Sequence, residues 1–236
     1  MRIGINCGHT LSGTVGGGAI GYLNESNETR AVGYPLMSML KALGHTVVDC
    51  TVDNSKTVIA NLKEICAKAN AQTLDMFISL HFNAGGGNGC EVFTYGSGDI
   101  AGAGKIKSAI YSLGFRDRGI KDGSNLYVIK NTKAPACLVE ICFVDSEEDA
   151  MLYRKLGAER IAAAICEAIT GRMPDYNKGD NEMIYNYIDE NMPEWARKTV
   201  QKLVDKGVLQ GGEDGLNLTE EMLRIFVIHD RLGLYD

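Results

Sequence analysis

Two histidines in this chain directly follow short apolar runs. Gly8-His9 closes Arg2-Ile3-Gly4-Ile5-Asn6-Cys7, and His81-Phe82-Asn83-Ala84 closes Met76-Phe77-Ile78-Ser79-Leu80. Imidazole is a common metal ligand and moves protons near neutral pH. A hydrolytic zinc site needs about three protein ligands and a position left for water, so a third His, Glu or Asp is required. Leu23-Asn24-Glu25-Ser26-Asn27-Glu28-Thr29 supplies two carboxylates just before a helical pattern. A further acid, Glu140, stands inside Leu138-Val139-Glu140-Ile141-Cys142-Phe143. An ionised carboxylate in a buried strand is costly unless a cation pairs with it, whereas at a sheet edge it simply faces solvent. Taken singly, His9 or His81 also fits a structural role, bonded to backbone. Taken together, the residues suit zinc hydrolysis, in which the metal acidifies water and polarises a carbonyl.

The elements that must position these groups alternate. Apolar runs predict strands over Ile3–Cys7, Thr46–Asp49, Met76–Leu80, Cys90–Tyr95, Leu126–Ile129 and Ala136–Phe143. Helix-period patterns occupy 28–43, 56–71 and 100–113. One long helix is expected over 147–170, with Ser146 as N-cap, Asp149 in its first turn and Gly171 just past its end. This order predicts an α/β domain: a twisted, mostly parallel or mixed sheet with helices on both faces. In open α/β sheets, ligand groups gather at the carboxyl ends of strands, where both histidines are expected.

Gly8-His9, Ser79-Leu80-His81-Phe82-Asn83-Ala84 and Leu138-Val139-Glu140-Ile141-Cys142-Phe143-Val144 followed by Glu148-Asp149 resemble the zinc N-acetylmuramoyl-L-alanine amidases called type 3. The resemblance covers residues 1–170. It implies His9, Glu25 and His81 as zinc ligands and Glu140 as the catalytic acid–base. Glu25 is preferred to Glu28 because the family's ligand lies a fixed distance before the Gly ending the first helix, here Gly44; Glu28 then serves the helix dipole. The implied substrate is peptidoglycan, cut at the amide between N-acetylmuramic acid and L-alanine. Two departures stand out: the usual Asp-Pro-Gly-His is Asn6-Cys7-Gly8-His9, and the usual Gly-Phe is Cys142-Phe143. The interval between His81 and Glu140 reads as strand, helix, strand. It holds no surplus segment of the kind that blocks the site in some members, as suits a phage endolysin or autolysin. Other readings are a different zinc hydrolase, such as a stem-peptide peptidase, or a catalytically inactive wall-binding module.

Composition removes several classes. The net charge of −6 offers no basic footprint for nucleic acid or an anionic membrane. No apolar stretch is long enough to span a bilayer. The first residues lack a secretory leader, so synthesis in the cytoplasm and action on the wall after holin-type release or lysis are expected. The seven cysteines are odd in number and sit mostly in apolar runs, the pattern of buried reduced thiols. Gly16-Gly17-Gly18-Ala19-Ile20-Gly21 fits a dinucleotide fingerprint, but it starts several residues after the strand and opens no helix, so it reads as a loop beside the zinc site. His45 and His229 read as structural or surface residues.

The segment Arg172 to Asn181 breaks the pattern with Pro, Gly and polar residues. The expected organisation is a catalytic domain at 1–173, a linker at 174–181 and a small all-helical domain at 182–236. In the last, Pro193 opens a helix, Gly207 closes it and Thr219 caps the next. The lone Trp195 reads first as core. Residues 194–234 resemble a single S-layer-homology repeat, which implies binding to cell-wall polysaccharide; the competing role is a helical appendage that packs on the enzyme or on a second copy.

Overall fold

A computed structural model of the chain describes residues 1–173, 185–212 and 215–235. The chain divides into two units, Met1–Asp175 and Tyr176–Asp236. The linker expected at 174–181 lies outside the described residues.

The first unit is built on β1 (Arg2–Cys7), β2 (Thr46–Asp49), β3 (Met76–Asn83), β4 (Cys90–Thr94), β5 (Asp117–Asp122) and β6 (Ala136–Phe143). They form one sheet in the order β2-β1-β3-β6-β4-β5. From β2 to β6 all pairings are parallel; β4 runs antiparallel to β6 and parallel to β5. Six helices accompany it: α1 (Glu25–Ala42), α2 (Val58–Asn70), α3 (Ala103–Ser112), α4 (Tyr127–Asn131), α5 (Glu147–Leu156) and α6 (Ala158–Thr170). The mixed α/β fold with helices on both faces is as the alternating pattern predicts.

Strand alternation sorts the core into two layers. Ile3, Ile5, Ile78, Leu80, Val139 and Ile141 pack with residues of α1, α3 and α6. Phe77, Ala136 and Leu138 pack on the other face with residues of α2 and α4. All seven cysteines are buried and unpaired, as expected.

Four expectations change. Leu126–Ile129 is not a strand: Tyr127–Asn131 is a short helix, because a brief apolar run has no period that separates the two forms. The missing strand is β5, Asp117-Arg118-Gly119-Ile120-Lys121-Asp122, whose charges suit an edge strand and hide it from a search for apolar runs. The long helix at 147–170 is two, broken at Gly157 with φ +78° and ψ 150°. The first helix starts at Glu25 rather than at 28: Asn24 caps it by accepting the Asn27 N–H.

In the second unit, Tyr185 and Leu218 pair as an isolated bridge, and α7 (Glu194–Asp205) and α8 (Glu220–Arg231) follow. Tyr185, Met192, Val200, Leu203 and Leu223 form its core. Pro193 precedes α7, and the Thr219 hydroxyl accepts the Met222 N–H at the start of α8. Trp195 is 44% exposed and is not core. Among the described residues no helix is long and apolar enough to cross a membrane.

Candidate metal centre

β1 runs into Gly8-His9, and His9 adopts a left-handed φ of +66°. Gly8 is required by close approach: a Cβ there would lie 2.4 Å from the His81 ring and 2.6 Å from the Leu80 carbonyl. Arg30 on α1 clamps the turn, donating to the His9 carbonyl at 3.0 Å while pairing with Asp53 at 2.8 Å.

Glu25, the first residue of α1, is 4% exposed. Its Oε1 lies 3.0 Å from His9 Nε2 and 3.1 Å from His81 Nδ1. The Phe82 N–H donates to the same oxygen, and the Ala19 N–H donates to Oε2. The glycine-rich loop is therefore a wall of this cluster, as the loop reading expected: His9 Nδ1 lies 3.0 Å from the Gly16 carbonyl. That contact assigns the Nδ1 proton to the carbonyl and leaves Nε2 as the donor atom facing Glu25, the usual way an outer partner orients a ligating imidazole.

One ligand atom from each of His9, Glu25 and His81 falls within 4.8 Å of the others. Three donors from three elements, two imidazoles and one carboxylate, make a set that fits a zinc ion with an open position. Burial works against charge on His9, but the hydrogen bond and charge of Glu25 prevail and raise its pKa. Burial and the charge of His9 hold His81 low despite Glu25. Burial alone would raise Glu25; hydrogen bonds from His81 and His9 outweigh it and hold the carboxyl well below the usual carboxylate range.

Glu140 joins this arrangement through the sheet. It is the register partner of His81 on β6, and Glu91 on β4 is its partner on the other side. Directly paired residues share a face. His81, Glu140 and Glu91 thus form one rung on the face covered by α2 and α4. Burial, then the charges of Glu25 and Glu91, push the Glu140 carboxyl up to about 8. Its Oε2 has no hydrogen-bond partner. Glu91 is held instead, accepting from Asn83 Nδ2 at 2.7 Å and from Arg118 Nε at 2.9 Å. Arg118 also lies 4.9 Å over the Phe143 ring.

The neighbouring rung on the same face is Asn6–Ser79–Leu138. These three line a cavity of about 330 Å³ together with His9, His81, Val58 and Tyr127. The structure thus brings His9, Glu25 and His81 into one cluster and places Glu140 beside His81. Glu28 is elsewhere, accepting from the Tyr153 hydroxyl at 2.7 Å. His45 Nδ1 lies 3.2 Å from the amino terminus and His229 Nδ1 lies 3.1 Å from the Tyr235 hydroxyl; neither enters the cluster. Sequence reasoning missed Glu91 and Asn6. An acid inside Cys90-Glu91-Val92-Phe93 carried the same signal as Glu140; Asn6 becomes visible only once strand register is known.

A mixed α/β sheet with two histidines toward the carboxyl ends of β1 and β3, a glutamate at the start of α1 and a half-buried acid one strand away defines a class of hydrolase-like metal sites. Residues 3–171 match the family described as Amidase_3, N-acetylmuramoyl-L-alanine amidase, and the chain belongs to that family. A Clostridium perfringens protein described as uncharacterized is 31% identical over 75% of this chain and 54% of its own length. The endolysin of Bacillus phage SPP1 is 32% identical over 64% of this chain and 58% of its own length. The chain therefore spans little more than half of either relative. Among solved structures, the catalytic domain of CD27L endolysin targeting Clostridia difficile superposes with a TM-score of 0.67 at 29% identity, covering 73% of this chain and 98% of that one.

Proposed function

We propose that this chain is a zinc-dependent N-acetylmuramoyl-L-alanine amidase that hydrolyses the amide between N-acetylmuramic acid and L-alanine in peptidoglycan. The observation that carries the reading is the convergence of His9, Glu25 and His81 beside Glu140, its carboxyl held one strand away at His81's register position. Family membership and the name of the phage relative support the substrate.

His9, Glu25 and His81 would hold the zinc, which when bound supplies positive charge that polarises a carbonyl and makes water more acidic. Glu140 takes one proton from the attacking water. The water oxygen forms a bond to the lactyl carbonyl carbon, the carbon–nitrogen bond breaks, and Glu140 returns the proton to the departing alanine amine. Burial and the charges of Glu25 and Glu91 raise the Glu140 carboxyl in the metal-free chain, and a bound cation would oppose that rise, leaving a group that can both accept and return a proton near the ambient pH.

The test is product analysis. Purified peptidoglycan treated with the zinc-loaded protein should release stem peptides beginning with a free L-alanine amine, read by mass spectrometry. Cleavage within the stem, leaving the lactyl amide intact, would identify a peptidase instead.

A further inference from the structure

Two buried side-chain oxygens among the described residues have no hydrogen-bond partner: Glu140 Oε2 and Asn6 Oδ1. The first belongs to the acid–base just assigned. The second has no part in that chemistry. Asn6 is 1% exposed, and its Nδ2 donates to Ser79 Oγ at 3.2 Å, so its carbonyl end is the free one. Buried acceptors are nearly always satisfied in native proteins, so an unsatisfied one at a cavity is a place where a ligand donor belongs.

The surroundings say which donor. Asn6 lines the cavity shared by His9 and His81, whose other walls include Val58, Leu62, Ile65 and Leu138. Among the other polar residues there, Ser79 Oγ accepts from Asn6 and Asn61 Nδ2 donates to the Val52 carbonyl at 3.1 Å, and Tyr127 also lines the cavity. The walls are mostly apolar side chains, which suit a methyl group better than the several hydroxyls of a sugar, since a hydroxyl buried without a partner is costly. An alanyl peptide brings a methyl group and one N–H. Same-face rungs are two residues apart, about 7 Å along the strand. The amide that follows alanine lies one residue, about 3.8 Å, beyond the scissile one. An asparagine reaching out from the neighbouring rung spans the difference.

We infer that Asn6 is a substrate-reading residue: its Oδ1 accepts the N–H of the amide following L-alanine, and the apolar walls receive the alanine methyl. This rests on the amidase reading above. The neutral carboxamide, standing where the resembled family usually has Asp, performs the reading without adding another carboxylate beside Glu25, Glu91 and Glu140.

Two soluble substrates test it: N-acetylmuramoyl-L-alanine N-methylamide, which carries the second N–H, and the N,N-dimethylamide, which lacks it. Zinc-loaded wild type should cut the methylamide three- to tenfold more efficiently in kcat/KM, mainly through KM, the range one net hydrogen bond gives. Asn6→Ala should lose that same factor on the methylamide and no longer tell the substrates apart, with zinc content unchanged. Asn6→Asp, which keeps an acceptor, should retain the preference. Should Asn6→Ala fail to fold, Asn6→Ser shortens the side chain and is read the same way. Equal rates of the two substrates with wild type, or an undiminished preference in Asn6→Ala, overturns the inference. A zinc-loaded wild type that cuts neither substrate overturns the amidase reading, and the role of Asn6 falls with it.

Discussion

The two units of this chain handle buried polarity in opposite ways. The first buries Glu25, Arg30, Glu91 and Asp149, and ties each to named partners. In the second, Thr199 is the one buried polar side chain among the described residues, and amphipathic helices around a small apolar core account for the rest. Burying a charge is expensive and hydrophobic residues of similar volume pack as well or better, so polarity kept inside a fold points to work that an apolar core cannot do. Asp149 shows the structural part of that work: its carboxylate accepts from the backbone of Gly89 and Phe143, pinning the loop after β3 to the end of β6. On the function proposed above, Glu25 and Glu140 do the chemical part.

The contrast breaks first at the ligands. His81→Ala should remove most bound zinc and reduce hydrolysis to background; elemental analysis with a turnover assay decides. Stoichiometric metal with wild-type lysis would remove His81 from the ligand set. Glu140→Gln should lower kcat by roughly 10²- to 10⁴-fold, the usual worth of a positioned acid–base, while metal and fold stay intact. Loss of zinc from this variant would make Glu140 a ligand instead.

A smaller effect is thermal. In chelator-treated protein the Glu140 carboxyl is raised to about 8 from 4.5. A raised folded-state pKa means the folded state holds the proton more tightly. Its contribution to stability is full below the unfolded value and is lost as pH rises toward 8. Glu25 is shifted the other way, so its contribution is lost as pH falls below the ordinary carboxylate range. The Tm of the chelated protein should therefore decline between pH 5 and 8, with the raised His9 acting in the same direction. Glu140→Gln should flatten that decline, and an unchanged slope would place the titration elsewhere.

The smallest expected effect on chemistry comes from the second unit. A chain ending at Gly171 retains the whole of the first unit's core and both rungs of the site. It should bind zinc and cut soluble substrate much as the full chain does, since a domain with its own core can fold alone. Wall anchoring by the second unit predicts weaker pull-down of the shortened chain on purified cell walls. Equal pull-down would rule anchoring out, and aggregation of the shortened chain would favour a packing role.

Much of the site was legible because its residues sit in short motifs at strand ends. Gly8-His9 and His81-Phe82-Asn83 announce themselves locally, and Glu140 stands out as an acid in an apolar strand. Glu25 needed more, since only resemblance separated it from Glu28; the fold supplies the reason, with α1 starting at Glu25 and turning Glu28 toward Tyr153. What stayed hidden depends on pairing across strands. Neither the Asn6–Ser79 contact nor the Glu140–Glu91 pairing can be read without register, and β4 joins the sheet out of sequence order between β6 and β5. The charged edge strand β5 escaped because it holds no apolar run, and the short helix α4 because its apolar run is too brief to carry a period.

The seven buried thiols give the molecule a built-in clock. Each lies in the first unit, none lies in the second, and burial pushes all of them up, with Cys90 and Cys137 at about 12. Alkylation and disulfide exchange proceed through the thiolate, so the folded unit should be nearly inert to both. A thiol reagent added to native protein would then record how often the first unit opens, and would be blind to any motion of the second.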